Sequence, residues 1–284
     1  SESSADLTRR TMTLVPTRGG ASYYMDSAGN YWRAYVFIER VKSSHVAEKP
    51  EQAEQVGRAF GLFQKRLVDL PTERIQETIP QFHNGALRID ALEKAVREDK
   101  QNRVEATQPE IEFCQTNRGI VQIFADAQAK GELPQRITHN DTKIDNVLLD
   151  QDTDEVMCIV DLDTVMPGLI HYDFGDMVRT LTSPADEDER DLDKVTMRMD
   201  FFDALAKGYL SEANDFLSEA EKGYLAQAGK VITFQLGVRF LTDHLNGDTY
   251  FRVHREGQNL DRARVQFKLV ERMLENEEAM KATI

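Results

Sequence analysis

The chain has 284 residues, enough for one large domain or two small ones, and 40% of them are hydrophobic, enough for a buried core. No apolar run approaches the length of a membrane span, and a formal net charge of −14 gives a surface that repels phosphate backbones, which speaks against nucleic acid as a general partner. Cys114 and Cys158 are the only cysteines and make no disulfide framework, so a reducing, cytoplasmic setting is expected.

The first ten residues are polar and mixed in charge, without the apolar stretch of a signal peptide. Strands are predicted at 11–15, 21–25 and 31–38, separated by turns at Pro16–Gly20 and at Asp26–Asn30. The character changes at Pro50, which suits a first helical position. Val56, Phe60, Phe63 and Leu67 then recur at helical spacing, ending near Pro71. Further helices are predicted at 87–97 and 110–129. A strand-and-turn block follows at 136–163, then helices at 200–210, 219–245 and from 259 onward. The acidic run 186–189 reads as a solvated loop. The order predicts an α+β fold with two lobes: a small β region at 1–38 and a mostly helical region at 39–284.

The informative stretch is HNDTKIDNVLLD at 139–150, followed by IVDLD at 159–163. Phosphoryl transfer from ATP needs a divalent cation on the phosphates and a group that accepts the proton of the acceptor hydroxyl. A hard cation takes oxygen ligands, which Asn and Asp supply. The pattern H-x-D-x-x-x-x-N followed by a strand ending in Asp meets these needs. Asp141 would face the acceptor from a loop, and Asn146 and Asp161 would reach the metal from neighbouring strands. A hairpin turning at 151–154 would bring those two together. His139 reads as a structural support of the loop. Asp150, Asp152, Asp154 and Asp161 also have the spacing of a calcium loop, but Glu155 stands where glycine is required and the flanks read as strands. Those aspartates read as turn residues.

At these residues, and at HYDFGDMVR (171–179), the sequence resembles the aminoglycoside phosphotransferase-like kinases, relatives of protein kinases. Segments 77–84 and 239–262 make it more similar to the N-acetylhexosamine 1-kinases. That resemblance implies a protein-kinase-like fold, ATP and Mg2+ as cofactors, and phosphorylation of the anomeric hydroxyl of an N-acetylhexosamine. Asp141 would be the catalytic base, and Asn146 and Asp161 the metal ligands. Val36, Phe37, Ile38 and Glu39 would form the hinge whose backbone meets adenine, and Arg239, Asp243, Tyr250 and His254 would line the sugar pocket. Asp173-Phe174-Gly175, despite its spelling, reads as structural, as does Asp176. The family's glycine-rich phosphate loop, strand lysine and paired helix glutamate have no counterpart here, and no lysine precedes Lys42. The resemblance therefore implies a truncated N-terminal β lobe and weak or absent activity for this polypeptide alone. An aminoglycoside, choline or homoserine as acceptor, or a binding module without catalysis, remain as alternatives.

Overall fold

The computed structural model describes residues 8–284; residues 1–7 of the polar N-terminal stretch lie outside the described residues. The N-terminal region carries four two-residue strands: β1 (Leu14–Val15), β2 (Tyr24–Met25), β3 (Tyr31–Trp32) and β4 (Ala34–Tyr35). β1 pairs with β4 and β2 with β3, both antiparallel. The strands are shorter than predicted for a physical reason. Tyr24, Met25, Tyr31 and Trp32 are all more than half exposed, so no buried face rewards a longer ladder. Asp26 organises the β2–β3 turn, accepting from the Trp32 indole, the Asn30 amide and the backbone of Ala28 and Asn30. Those donors, Trp32 foremost, hold its carboxyl at about 2.

The chain then forms β5 (Val41–Lys42) and α1 (Pro50–Leu67), with Pro50 at the first turn as predicted. α2 (Gly85–Glu98) is capped by Asn84, whose side chain accepts from the Leu87 N–H. The single helix predicted at 110–129 is two, α3 (Gln108–Thr116) and α4 (Gln122–Ala129). Asn117 causes the break: its side-chain amide donates to the Phe113 carbonyl, and a 3-10 turn at Arg118–Val121 follows. Next come β6 (Arg136–Thr138), β7 (Val147–Asp150), β8 (Val156–Ile159) and β9 (Met166–Gly168). The rest is helical: α5 (Ile170–Thr182), α6 (Met199–Ala213), α7 (Glu219–Leu245), α8 (Gln258–Glu275) and α9 (Glu277–Thr283). α7 starts in a reciprocal cap between Ser218 and Glu221. α5 was not anticipated, although Ile170, Phe174, Met177, Val178 and Leu181 repeat at helical spacing and all are buried.

β5 joins the edge of the β7–β8 hairpin, and β6 pairs with β9. One core is built from α1, α5, α6 and the first half of α7, with Phe60, Phe174, Phe202 and Tyr209 fully buried. A second lies between α2, α3, α8 and the second half of α7, around Phe234, Phe240 and Phe267. Each such ring contributes roughly 1.5–3 kcal/mol. The acidic run is not a free loop. Glu187 pairs with Arg262, and Asp188 with Arg255 and Gln258, so the start of α8 holds the run down. No helix among the described residues is long and apolar enough to cross a membrane.

Candidate active site

The loop between β6 and β7 is fixed from below by one buried carboxylate. Asp173, on α5, is fully buried and accepts from the backbone N–H of His139 (2.9 Å) and Asn140 (2.7 Å) and from the Gln64 amide (2.8 Å). Burial pushes its carboxyl up, while His139 and these three donors pull it back down. The Asp173 carbonyl also takes the Thr142 hydroxyl proton at 2.6 Å. Asp173 is thus a loop holder, not a group facing a ligand.

His139 is buried between the edges of Phe60 and Phe63. Its Nδ1 accepts from the Asp141 N–H at 3.3 Å, so its ring proton sits on Nε2, which donates to the Val160 carbonyl at 3.0 Å. One ring therefore ties the Asp141 backbone to the strand end before Asp161. Asn140 takes a positive φ of 66° and donates to the Thr164 carbonyl. Beside it Gly168 is required, because a Cβ there would lie 2.4 Å from Thr138 Oγ1 and 2.8 Å from Asn140 Oδ1.

Above this support the polar groups gather. The Asn146 amide donates to the Asp141 carbonyl (2.8 Å) and to its Oδ2 (3.0 Å). Lys143 Nζ lies 3.0 Å from the same Oδ2. Burial works to lower the Lys143 ammonium, but the charge and hydrogen bond of Asp141, with Asp176 and Asp161 farther off, raise it. The Val160 N–H donates to the Asn146 carbonyl at 2.9 Å, which sets Asp161 one residue past the position opposite Asn146. Asp161 is exposed, has a left-handed backbone (φ 59°, ψ 57°), and its carboxylate has no hydrogen bond or ion pair among the described residues. A non-glycine residue held in that region marks strain of the kind found at functional sites.

The hairpin therefore does bring Asn146 and Asp161 to one end, with Asp141 alongside. Its turn is made by Asp150, whose Oδ1 accepts from the N–H groups of Asp152 and Thr153. Among the described residues no three His, Cys, Asp or Glu side chains form a metal-binding group. The donors on offer are the Asn146 amide oxygen and the Asp161 carboxylate. Two oxygen donors suit a magnesium ion that keeps waters and shares the phosphates of a bound nucleotide, rather than an all-protein cage.

The other sequence candidates fall into two groups. In the hinge, Phe37 is 84% exposed, Ile38 is buried, and the Glu39 carbonyl accepts from Arg9 at 3.4 Å. In the pocket group, Arg239, Asp243 and Tyr250 line a cavity of about 230 Å3 together with Arg88. The Arg239 guanidinium lies over the rings of Phe82, Tyr250 and Phe251. Asp243, however, is buried, and its oxygens accept from the N–H groups of Thr249, Tyr250 and Phe251 and from Asn259. It shapes the 249–251 loop. His254 is not among the lining residues; it is exposed, and its backbone N–H donates to Gln258. Segment 77–84 packs against the turn after β8 and against α5: Thr78 donates to the Asp163 carbonyl, and His83 stacks on Tyr172 at 4.2 Å. Burial, then the charges of Arg239 and Arg88, pushes the His83 imidazole down to about 3. Lys143 was passed over in the sequence, although a lysine two residues past the Asp carried the signal. It also opens onto a second cavity, of about 280 Å3, whose walls include Asp145 and Arg179.

The chain shares this architecture with solved kinase-like structures. An aminoglycoside phosphotransferase from Alicyclobacillus acidocaldarius is 13% identical, with a TM-score of 0.62 over 96% of this chain and 76% of that one. A choline kinase from Cryptosporidium parvum is 11% identical, with a TM-score of 0.55 over 99% and 80%. A spectinomycin phosphotransferase in complex with ADP and spectinomycin is 13% identical, with a TM-score of 0.51 over 95% and 78%. At such identities the likeness establishes the fold, an α+β kinase-like arrangement of a small β layer and a helical body. The chain belongs to the phosphotransferase enzyme family, whose pattern matches residues 10–215.

Proposed function

We propose that the chain transfers the γ-phosphoryl group of ATP to a hydroxyl of a small molecule, and that the acceptor is the anomeric C1 hydroxyl of an N-acetylhexosamine. The observation that carries the reading is the meeting of Lys143 and Asn146 on Asp141 Oδ2, each at 3.0 Å, beside the unpaired Asp161. Asp141 accepts the proton of the acceptor hydroxyl as its oxygen bonds to phosphorus and the bond to ADP breaks. Lys143 orients the Asp141 carboxylate and offsets charge that builds near it. The Asn146 oxygen and Asp161 would hold magnesium, which neutralises phosphate charge when bound. The backbone at Phe37, Ile38 and Glu39 is assigned to adenine, and Arg239 and Tyr250 to the sugar. The sugar assignment rests on sequence resemblance in 77–84 and 239–262; the family itself is broader.

In the full-length protein, replacing Asp141 with Asn is expected to lower ADP release with N-acetylglucosamine by about 10²–10⁴-fold or more, while calorimetric binding of Mg-ATP stays close to wild type. Turnover retained in that variant removes Asp141 from its role. N-acetylgalactosamine, choline, homoserine and an aminoglycoside assayed alongside would identify a different acceptor, and nucleotide binding without turnover on any of them would favour a binding module.

A further inference from the structure

The cavity of about 230 Å3 at Arg239 and Tyr250 is walled by two guanidiniums, Arg88 from α2 and Arg239 from α7, both half-buried. Arg88 donates to the Phe82 carbonyl at 2.8 Å and Arg239 to the Tyr250 hydroxyl at 3.4 Å, but among the described residues neither forms an ion pair. Composition does not explain this, since acidic side chains outnumber basic ones 49 to 35. The fold does. Asp243 lies four residues along α7 from Arg239, the spacing of a helical ion pair. Its oxygens are taken instead by the N–H groups of Thr249, Tyr250 and Phe251 and by the Asn259 amide. The loop so formed sets the rings of Tyr250 and Phe251 at 5.6 and 5.2 Å from the Arg239 guanidinium. Aromatic rings occupy the face of a guanidinium and leave its in-plane N–H groups free for an oxyanion. Burial, then the charge of Arg239, pushes the Arg88 guanidinium down. Two like charges are thus held together at a cost that an arriving anion removes.

We propose that Arg88 and Arg239 form an oxyanion subsite, and that the acceptor carries a carboxylate or phosphate group bound between the two guanidiniums. The proposal rests on the reading that this cavity takes the acceptor. The Phe82 ring lies 5.8 Å from the Arg239 guanidinium, and the next residue, His83, lines a neighbouring cavity together with Asn140, which precedes Asp141. The two arginines therefore stand one short segment away from the catalytic loop. Guanidinium N–H groups match the paired oxygens of a carboxylate or phosphate. The subsite narrows the substrate class. A neutral hexosamine leaves both charges unmatched, and a cation such as choline is repelled. An N-acetylhexosamine that bears an acidic group away from C1 satisfies both arginines and keeps its anomeric hydroxyl for Asp141.

The test uses the full-length protein, with N-acetylglucosamine, N-acetylglucosamine 6-phosphate and N-acetylglucosaminuronic acid as probes. Calorimetry of each sugar and of ADP, and ADP release, are measured for wild type, Arg88→Met and Arg88→Lys. Wild type is expected to bind at least one anionic sugar about tenfold or more tighter than the neutral one. The tighter of the two identifies the group as phosphate or carboxylate. The preference should shrink as salt is raised. Arg88→Met should lose it while binding the neutral sugar and ADP within about threefold of wild type, and Arg88→Lys, which keeps the charge, should retain more of it. The inference is overturned if wild type prefers neither anionic sugar, if the preference is indifferent to salt, or if Arg88→Met weakens neutral and anionic sugars alike. Should Arg88→Met lose ADP binding through misfolding, the wild-type preference and its salt dependence decide. Salt-dependent binding of an anionic sugar without ADP release keeps the subsite and removes the phosphotransfer reading. ADP release with N-acetylglucosamine and no anion preference does the reverse.

Discussion

His171 sits in α5 at 1% exposure, and its Nε2–H donates to the Glu221 carbonyl at 2.8 Å. Burial pushes its pKa down to about 4, against the pull of Glu221. An unfolded chain takes up a proton near 6.5, and the folded one refuses it until about 4. Stability is therefore level above pH 6.5 and falls as the solution is acidified through that window. Between pH 7 and 5 this one group costs about 2 kcal/mol. Urea unfolding of His171→Gln at both pH values is expected to show a drop smaller than wild type by about that amount, and an equal drop in both proteins would remove His171 as a cause. The same residue-scale chemistry explains what the sequence did and did not disclose about the site. The gathering of Asp141, Asn146 and Asp161 at one end was legible because one hairpin fixes their placement locally. Lys143 shares that loop, yet its value lies in a distance to Asp141 that spacing alone does not state. Asp243 looked like a ligand-facing acid because a sequence does not show which N–H groups already surround a carboxylate.

Helices were read more reliably than strands. α7 has the predicted bounds, and α1 starts at the predicted proline, because caps and periodic apolar residues are written into neighbouring positions. The N-terminal strands came out shorter, since pairing depends on a buried face that this region lacks. Close packing of helices belongs to this scale as well. α1 and α6 meet through glycines: a Cβ at Gly208 would lie 2.0 Å from the Glu54 carbonyl oxygen, and one at Gly57 would lie 2.4 Å from that of Leu205. Gly208→Ala gains about 1 kcal/mol of helix propensity, but it forces two backbones apart, which costs about 1–3 kcal/mol or more in a packed core. The expected result is net destabilisation in urea titration; a variant as stable as wild type would show that the helix pair yields freely.

Across the whole molecule, α7 serves both cores: Leu225, Ala228 and Val231 belong to one, and Phe234, Val238 and Leu241 to the other. The helical body is thus expected to unfold as one unit, while the β layer before it is built from two-residue ladders with exposed aromatic rings. Hydrogen exchange followed by mass spectrometry should show amides of 14–37 exchanging well ahead of those in α5 and α7. Equal protection in both regions would mean that the layer is covered by something other than its own side chains. The single tryptophan, Trp32, is 60% exposed in that layer, so its emission reports the layer and not the cores.

Gln64 uses both ends of its amide. Its nitrogen serves Asp173 beneath the catalytic loop, and its oxygen takes the proton of the Tyr209 hydroxyl at 2.6 Å in the middle of α6. Losing any one of the three strands another in a dry interior. A substitution at position 64, 173 or 209 is therefore expected to loosen the hold on the loop at 139–142, so that a tyrosine remote in the chain steadies the backbone next to Asp141.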